Sequence, residues 1–261
     1  FAVTCIYSQI NALERQWGVH WAVGGTGKLV QGLAKLLQGQ GGTLRCNAEV
    51  SRIEVDRGRA TGVTLVSGER IAADIVISNL DPKRTFLKLM EERDLDPEIV
   101  HRARNFKIRG SSGKLNIALD GLPEFTALGK NHPLHCGDMH FLDSLERYER
   151  AYDDWKLGRW SKDPYLDLLI PSLTDPTMAP PGKHFMSVFV QYVPPLVEGR
   201  PWTEADRNAF RDTVFDQIET QSPGFRKLVL HAEVRTPQEL EAEVGLTEGN
   251  IFQGELTFDQ L

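Results

Sequence analysis

A chain of 261 residues is long enough for one large domain or two small ones, with a sizeable core. Its 41% hydrophobic and 25% charged residues are typical of a globular protein and exclude a disordered chain. The net charge is −6 with both signs interspersed and no basic tract, so we expect no nucleic-acid partner.

The cysteines are three in number and far apart, namely Cys5, Cys46 and Cys136. None forms a CxxC pair, which argues against a disulfide framework or a zinc ribbon and predicts a reducing compartment. The apolar runs are too short to span a bilayer, and no signal peptide opens the chain. Because the first residue is Phe1 and neither end coincides with a recognisable boundary, we expect a fragment of a longer protein.

The first predicted elements surround a glycine-rich turn at residues 24–27. Residues 1–15 predict the end of a helix, which leads through a loop at 16–23 into this turn. Residues 28–38 predict a second helix, which glycines at 39, 41 and 42 end. Its apolar face is formed by Leu29, Leu33, Leu36 and Leu37.

Short strands follow, and the last of them has the composition of a strand buried on both faces. Strands are predicted at 43–47 and 50–55, and a hairpin is predicted at 63–66 and 69–71. The strand predicted at 74–78 is nearly all apolar, which is typical of a sheet covered on both sides. This order of elements predicts the second half of a nucleotide-binding α/β domain.

The chain beyond residue 80 combines strands, long connections and peripheral helices, which predicts a mixed or antiparallel sheet flanked by helices. Strands are predicted at 114–119, more weakly at 134–141, and at 165–170 and 184–193. Helices are predicted within 83–104, where the second of two begins at Pro97, and from Ser144 to about 157. Further helices are predicted at 204–221 after a capping box of Thr203 with Asp206, from Pro223, and from Pro237 to 244.

Several stretches carry a resemblance to a known family. They are GGTGKL at 24–29, Gly42 with NAEV at 47–50, and ISNLDP at 77–82. In these stretches the chain resembles the phytoene desaturase and carotenoid oxidoreductase flavoproteins of the amine oxidase superfamily. The stretches at 170–176, 179–184 and 249–252 resemble more specifically the branch typified by pyridine nucleotide-disulfide oxidoreductase domain-containing protein 2.

The resemblance implies an FAD-dependent oxidoreductase or desaturase. Residues 1–80 would form part of a Rossmann-like FAD/NAD(P)-binding domain, and residues 81–261 would form a substrate-binding domain. The implied fold class is α/β plus α+β. Implied cofactor contacts are Gly24, Gly25, Val50, Asn79 and Asp81. At Val50 the backbone N–H and C=O would pair with the adenine edge, whereas an ordinary core valine is the alternative.

The resemblance also implies the substrate and the limits of the fragment. The substrate would be an apolar small molecule, with an isoprenoid as one option, while peripheral membrane contact and the oligomeric state stay open. The expected location is the cytoplasm, or the mitochondrial matrix in a eukaryote. The phosphate-binding fingerprint of the family would precede residue 1, so the fragment itself is expected to hold no FAD and to be inactive. A non-catalytic interaction or chaperone-like module on the same fold is the alternative.

The glycine-rich turn is neither a Walker A motif nor a dinucleotide fingerprint. Leu29 occupies the place of the Ser or Thr that the first motif requires, and Val30 replaces the third glycine of the second. A tight turn into a helix is therefore the alternative to a ligand-binding role. For Asp81, which precedes Pro82, two compatible interpretations remain: a ligand site after a buried strand, and a cap of the next helix.

The densest group of metal-ligand residue types comprises His132, His135, Cys136, Asp138 and His140. Their spacing matches no zinc motif. A separation of five places His135 and His140 on neither one helix face nor one strand face. We therefore predict no metal site.

Two further patterns bear on catalysis. Ser172, Asp175 and His184 suggest a hydrolase, but no serine lies in the G-x-S-x-G motif that a nucleophile elbow requires. The stretch 249–254 resembles the part of the family that returns towards the flavin. Gln253 stands where the family often has histidine, which argues against proton transfer at this position.

Overall fold

The computed structural model describes residues 23–129, 132–141 and 144–260, and the chain divides into two compact units. One unit comprises Phe1–Cys46 with Leu256–Leu261, and the other comprises Asn47–Glu255. In the first unit, helix α1 (Gly27–Gly39) confirms the helix predicted at 28–38. The helix predicted at 1–15 lies outside the described residues. The functional division of the chain at residue 80 stays a prediction.

A three-stranded antiparallel sheet opens the second unit. Its strands are β1 (Val50–Asp56), β2 (Arg59–Leu65) and β3 (Arg70–Ala72), in the order β1-β2-β3. The β1–β2 turn passes through Arg57 and Gly58 with φ angles of 50° and 75°, the pair of positive angles that a type I′ turn requires. The strand predicted from residue 50 and the β2–β3 hairpin are confirmed.

Two strands predicted for a parallel sheet are not formed. Residues 43–47 and 74–78 have no strand geometry, and Ile75 and Ile77 are 77% and 89% exposed. A strand needs a neighbour that accepts and donates its backbone hydrogen bonds, and no strand of the described chain pairs with either segment. Apolar composition therefore predicted the wrong local structure at 74–78, and the short strand predicted at 43–47 was also wrong.

The helical region after residue 82 is shorter than predicted at its beginning. A π-helical turn (Arg84–Lys88) and a 3-10 turn (Glu92–Asp94) precede helix α2 (Pro97–Asn105). As predicted, α2 begins with proline, and the Oδ1 atom of Asp96 accepts a hydrogen bond from the backbone N–H of Glu98 at 2.7 Å.

A five-stranded antiparallel sheet forms the centre of the second unit. Its strands are β4 (Ser112–Leu119), β5 (Met139–Phe141), β6 (Tyr165–Leu169), β7 (His184–Gln191) and β8 (Val229–Arg235). Their order is β5-β6-β7-β4-β8, and every neighbouring pair is antiparallel. The α+β prediction of an antiparallel sheet is thus confirmed, whereas β8 was not predicted.

Four helices accompany this sheet at their predicted places. They are α3 (Leu145–Lys156), α4 (Glu204–Gln221), α5 (Phe225–Leu228) and α6 (Pro237–Val244). Helix α4 begins with the predicted capping box, in which the Thr203 hydroxyl accepts a hydrogen bond from the backbone N–H of Asp206 at 3.2 Å. No helix within the described ranges has both the length and the hydropathy needed to cross a bilayer.

The core contains one face of the five-stranded sheet and the apolar side of α4. Leu115, Ile117 and Val188 of the sheet are fully buried in the same cluster as Phe210 and Val214 of α4. Burial of each such side chain contributes about 1.5–3 kcal/mol before the cost in chain entropy is counted. This packing fixes the sheet, so its other face is presented on a rigid support.

Candidate cofactor and substrate site

The glycines predicted to contact the cofactor form the turn that leads into α1. Gly24 and Gly25 have φ angles of 84° and 87°, which favour glycine over any other residue. A Cβ atom at Gly25 would meet nothing within 4 Å, so a ligand can approach its backbone closely. The Thr26 side chain does not cap the helix, and the backbone N–H groups of Lys28 and Leu29 donate to the carbonyls of Gly25 and Thr26 at 3.1 Å.

Val50 and Asn79, two further predicted contacts, lie in the second unit. Val50 is the first residue of β1, where its strand pairs with Leu65 of β2, and it is half-buried. Asn79 is exposed and follows the segment that did not form a strand. Their cofactor roles stay predictions, as do those of Gly24 and Gly25.

Asp81 has the capping role that the sequence indicated. Its Oδ1 atom accepts a hydrogen bond from the backbone N–H of Arg84 at 3.0 Å, at the start of the π-helical turn. Its Oδ2 atom accepts one from the Thr247 hydroxyl at 2.7 Å, across 166 residues of sequence. The carboxylate is only 1% exposed. Direct contact of this carboxylate with a ligand would require these bonds to break.

The second face of the five-stranded sheet is the candidate substrate surface. Alternation along the strands places Leu169, Phe185 and Phe189 on this face, and all three are half-buried. Helix α3 covers one end of it, where Tyr148 stacks on Tyr165 with 5.0 Å between ring centroids. Leu169, Phe185 and Phe189 form the apolar strip, the half-buried apolar residues of β6 and β7 that this face offers to a ligand.

Charged side chains flank the apolar strip of this face. At the β8 edge the Arg235 guanidinium lies 2.7 Å from the Glu233 carboxylate, which also accepts a hydrogen bond from the Asn116 amide at 3.0 Å. At the β5 edge lie His140 and Asp167, which are cross-strand partners. Charged residues also lie within the face, because Phe189 has Lys114 of β4 and Asp167 of β6 as its cross-strand partners.

The acidic group at the β5 edge contains two residues that the sequence grouped and one that it did not. His140 Nε2 lies 3.1 Å from the Asp138 Oδ2 atom, and Asp167 faces both from β6. Burial and a hydrogen bond with Asp138 raise the pKa of Asp167 to about 7. The hydrogen bond with Asp138 raises the pKa of His140. The alternation of Tyr165, Leu166 and Asp167 is the signal in the sequence that could have placed Asp167 on this face of the sheet.

The other members of the predicted histidine group are not part of the Asp138–His140–Asp167 group. His132 Nδ1 accepts a hydrogen bond from the backbone N–H of Leu134. A 3-10 turn at Pro133–Cys136 takes the place of the first half of the strand predicted at 134–141. His135 is 2% exposed and packs against Phe125, while Cys136 is exposed.

A cavity of about 520 Å³ opens on the core side of β5. Phe125, Leu128 and Phe141 line its apolar part. Its polar part holds the Asp163 carboxylate, which lies 2.5 Å from the Arg147 guanidinium and accepts a hydrogen bond from the Gln217 amide. His140 also lines this cavity, so the cavity reaches the second face of the sheet at the β5 edge.

The residues that suggested a hydrolase form turns. The Ser172 hydroxyl lies 3.1 Å from His184 Nδ1 and accepts a hydrogen bond from the backbone N–H of Phe185 at 3.1 Å. Asp175 Oδ1 accepts hydrogen bonds from the backbone and hydroxyl of Thr177. Ser172 is buried in a 3-10 turn rather than exposed at a strand–helix elbow, which is the geometry a nucleophile would need.

The stretch that resembles the flavin-returning segment is organised by Asn250. Its Oδ1 atom accepts a hydrogen bond from the backbone N–H of Phe252, and its Nδ2 atom donates to the Arg109 carbonyl at 2.9 Å. Gln253 is exposed, with a φ angle of 57°. Asn250 therefore has a structural role that the sequence did not indicate.

Known proteins match this chain over most of its length. The sequence pattern of the family described as "Flavin containing amine oxidoreductase" matches residues 1–224. "Pyridine nucleotide-disulfide oxidoreductase domain-containing protein 2" of Mus musculus is 37% identical over 271 residues, which cover 98% of this chain and 45% of the relative. "Phytoene desaturase (neurosporene-forming)" of Cereibacter sphaeroides is 33% identical over 241 residues, which cover 91% of this chain and 45% of the relative.

A solved structure shares the fold. An oxidoreductase from Methanosarcina mazei superimposes with a TM-score of 0.53 at 19% identity, over 82% of this chain and 43% of that one. This likeness concerns the fold alone. The chain spans 45% of the length of the two curated relatives.

Proposed function

Because the chain belongs to the flavin-containing amine oxidoreductase family, we propose that it is part of an FAD-dependent oxidoreductase that desaturates an apolar substrate. The chain spans 45% of its curated relatives, so the proposal concerns a longer protein. One relative is named as a phytoene desaturase, and we extend its substrate class, an isoprenoid hydrocarbon, to this protein.

The apolar strip on the second face of the five-stranded sheet is the observation that carries the substrate class. Leu169, Phe185 and Phe189 lie there without full burial, on strands that α4 holds rigid from the other side. An apolar molecule laid against them loses water contact, at about 25 cal/mol per Å² of apolar surface.

The residues predicted to contact the cofactor each offer a feature suited to that role. Gly25 leaves space for part of the cofactor to approach its backbone. Val50 offers a strand end whose backbone can recognise an adenine edge. Asp81 accepts hydrogen bonds from the backbone N–H of Arg84 and the hydroxyl of Thr247, so its proposed role is to position the chain that follows Asn79. Bound FAD would supply the hydride-accepting chemistry.

The absorbance spectrum of the purified full-length protein tests this proposal. We expect a visible flavin chromophore that stays with the protein through gel filtration and is bleached by dithionite. The 261-residue chain alone is expected to give no saturable heat with micromolar FAD, because it lacks the family's phosphate-binding fingerprint. A colourless full-length protein that does not take up added FAD would contradict the proposal and favour a non-catalytic interaction module.

A further inference from the structure

The acidic group at the β5 edge brings three potential metal ligands to one point. His140 of β5 and Asp167 of β6 are direct cross-strand partners, so their side chains share one face of the sheet. Asp138 precedes β5 and lies against the same face. One ligand atom from each of these three residues lies within 4.8 Å of the other two. The strand pairing thus sets the arrangement, which the sequence spacing alone did not reveal.

The imidazole of His140 is held in a definite orientation. The Tyr165 hydroxyl lies 2.5 Å from its Nδ1 atom, and Tyr165 is itself stacked on Tyr148 of α3. The other ring nitrogen, Nε2, therefore faces the Asp138 carboxylate at 3.1 Å. A histidine whose remote nitrogen is fixed by a hydrogen bond while the other faces carboxylates is the arrangement that metal-binding histidines use.

The charge of the group calls for compensation. Two carboxylates whose oxygens lie within 4.8 Å of each other repel when both are ionised. A shared proton or a bound cation relieves the repulsion. A divalent cation neutralises two carboxylates fully, and a neutral imidazole adds a nitrogen ligand without further charge.

We propose that Asp138, His140 and Asp167 bind one divalent first-row transition-metal cation, for which Zn²⁺ is the matching probe. Two carboxylate oxygens and one imidazole nitrogen are the ligand types that Zn²⁺ accepts, and water completes the coordination. Metal–ligand bonds of about 2.0–2.2 Å place neighbouring tetrahedral ligands about 3.3 Å apart. The separation of 3.1 Å between His140 Nε2 and Asp138 Oδ2 is close to this value.

Calorimetric titration of the tag-free 261-residue chain with Zn²⁺ tests the site. We expect one Zn²⁺ per chain with micromolar affinity. His140→Ala and Asp167→Asn should each weaken binding at least tenfold while the circular dichroism spectrum stays that of the parent chain. Tyr165→Phe removes no ligand but frees the imidazole, and we expect it to weaken binding by about 10–100-fold.

Two variants serve as matched controls. His231→Ala removes an exposed histidine from β8 at the opposite edge of the same sheet, and Cys136→Ser removes the exposed thiol close to the site in sequence. Both should bind Zn²⁺ as the parent does. Absence of saturable binding, or binding that survives both His140→Ala and Asp167→Asn, would overturn the proposal. The group would then be a proton-sharing pair of carboxylates beside a histidine.

Discussion

Replacement of Asp81 by alanine should destabilise the second unit, because this carboxylate satisfies one donor three residues away and one from a distant segment. It accepts from the backbone N–H of Arg84 at 3.0 Å and from the Thr247 hydroxyl at 2.7 Å, and it is 1% exposed. A hydrogen bond to a charged group contributes about 1.5–3 kcal/mol. Water can replace the carboxylate at Arg84 in part, so we expect a loss of about 3 kcal/mol in unfolding free energy for Asp81→Ala.

Urea unfolding followed by tryptophan fluorescence measures this loss. Thr247→Val keeps the shape of the side chain and removes one donor, so we expect it to cost about half as much as Asp81→Ala. In the double variant the two costs should not add, and the coupling between Asp81 and Thr247 should reach about 1 kcal/mol. A loss below 1 kcal/mol for Asp81→Ala, or additive costs, would refute the view that Asp81 joins these segments.

Three other perturbations test separate parts of the chain. The hydrogen bond from Arg52 lowers the pKa of Glu54 to about 2, so its stabilising contribution is complete above pH ~4.3 and is lost as the pH falls towards 2. In Glu54→Gln, melting temperatures should therefore fall less between pH 4.5 and 2.5 than in the parent, and equal falls would contradict this pairing. Gly113→Ala should cost about 1–3 kcal/mol in urea unfolding, because the new Cβ would lie 2.8 Å from Val193 Cγ2; an unchanged midpoint would contradict this packing. In the full-length protein, Val50→Ala should retain FAD, whereas Val50→Pro should lose FAD because proline has no backbone N–H. Proline is tolerated at the first residue of a strand, so the strand itself should still form. Equal flavin absorbance in both variants would show that the strand end is not an adenine site.

The elements with both a period and a boundary signal could be predicted from the sequence. Helix α4 begins directly after Thr203, the first residue of the capping box, and α2 begins at Pro97 directly after its cap Asp96. The first residue of each helix was therefore predicted correctly. Strand β8 was missed because its seven residues lie between two helix signals, and only Leu230, Ala232 and Val234 carry the alternation. Local patterns thus succeed where a capping residue marks the boundary.

The errors and omissions share a cause, since they depend on partners remote in sequence. The apolar run at 74–78 has the composition of a buried strand, but a strand forms only when a neighbour accepts its hydrogen bonds. Asp167 was not associated with His140 because only the β5–β6 register brings them together. Thr247 likewise showed no sign of its contact with Asp81.

The position of β4 within the five-stranded sheet has a consequence for biosynthesis. β4 is the first of these strands to be synthesised, yet its two neighbours are β7 and β8, the last two. One edge of this strand has no partner until the ribosome has passed residue 191, and the other has none until it has passed residue 235. Such non-local pairing slows folding and leaves an unpaired strand edge on the nascent chain that can pair with other chains. We therefore expect the soluble yield to depend on chaperones and on elongation rate more than on the stability of the finished sheet.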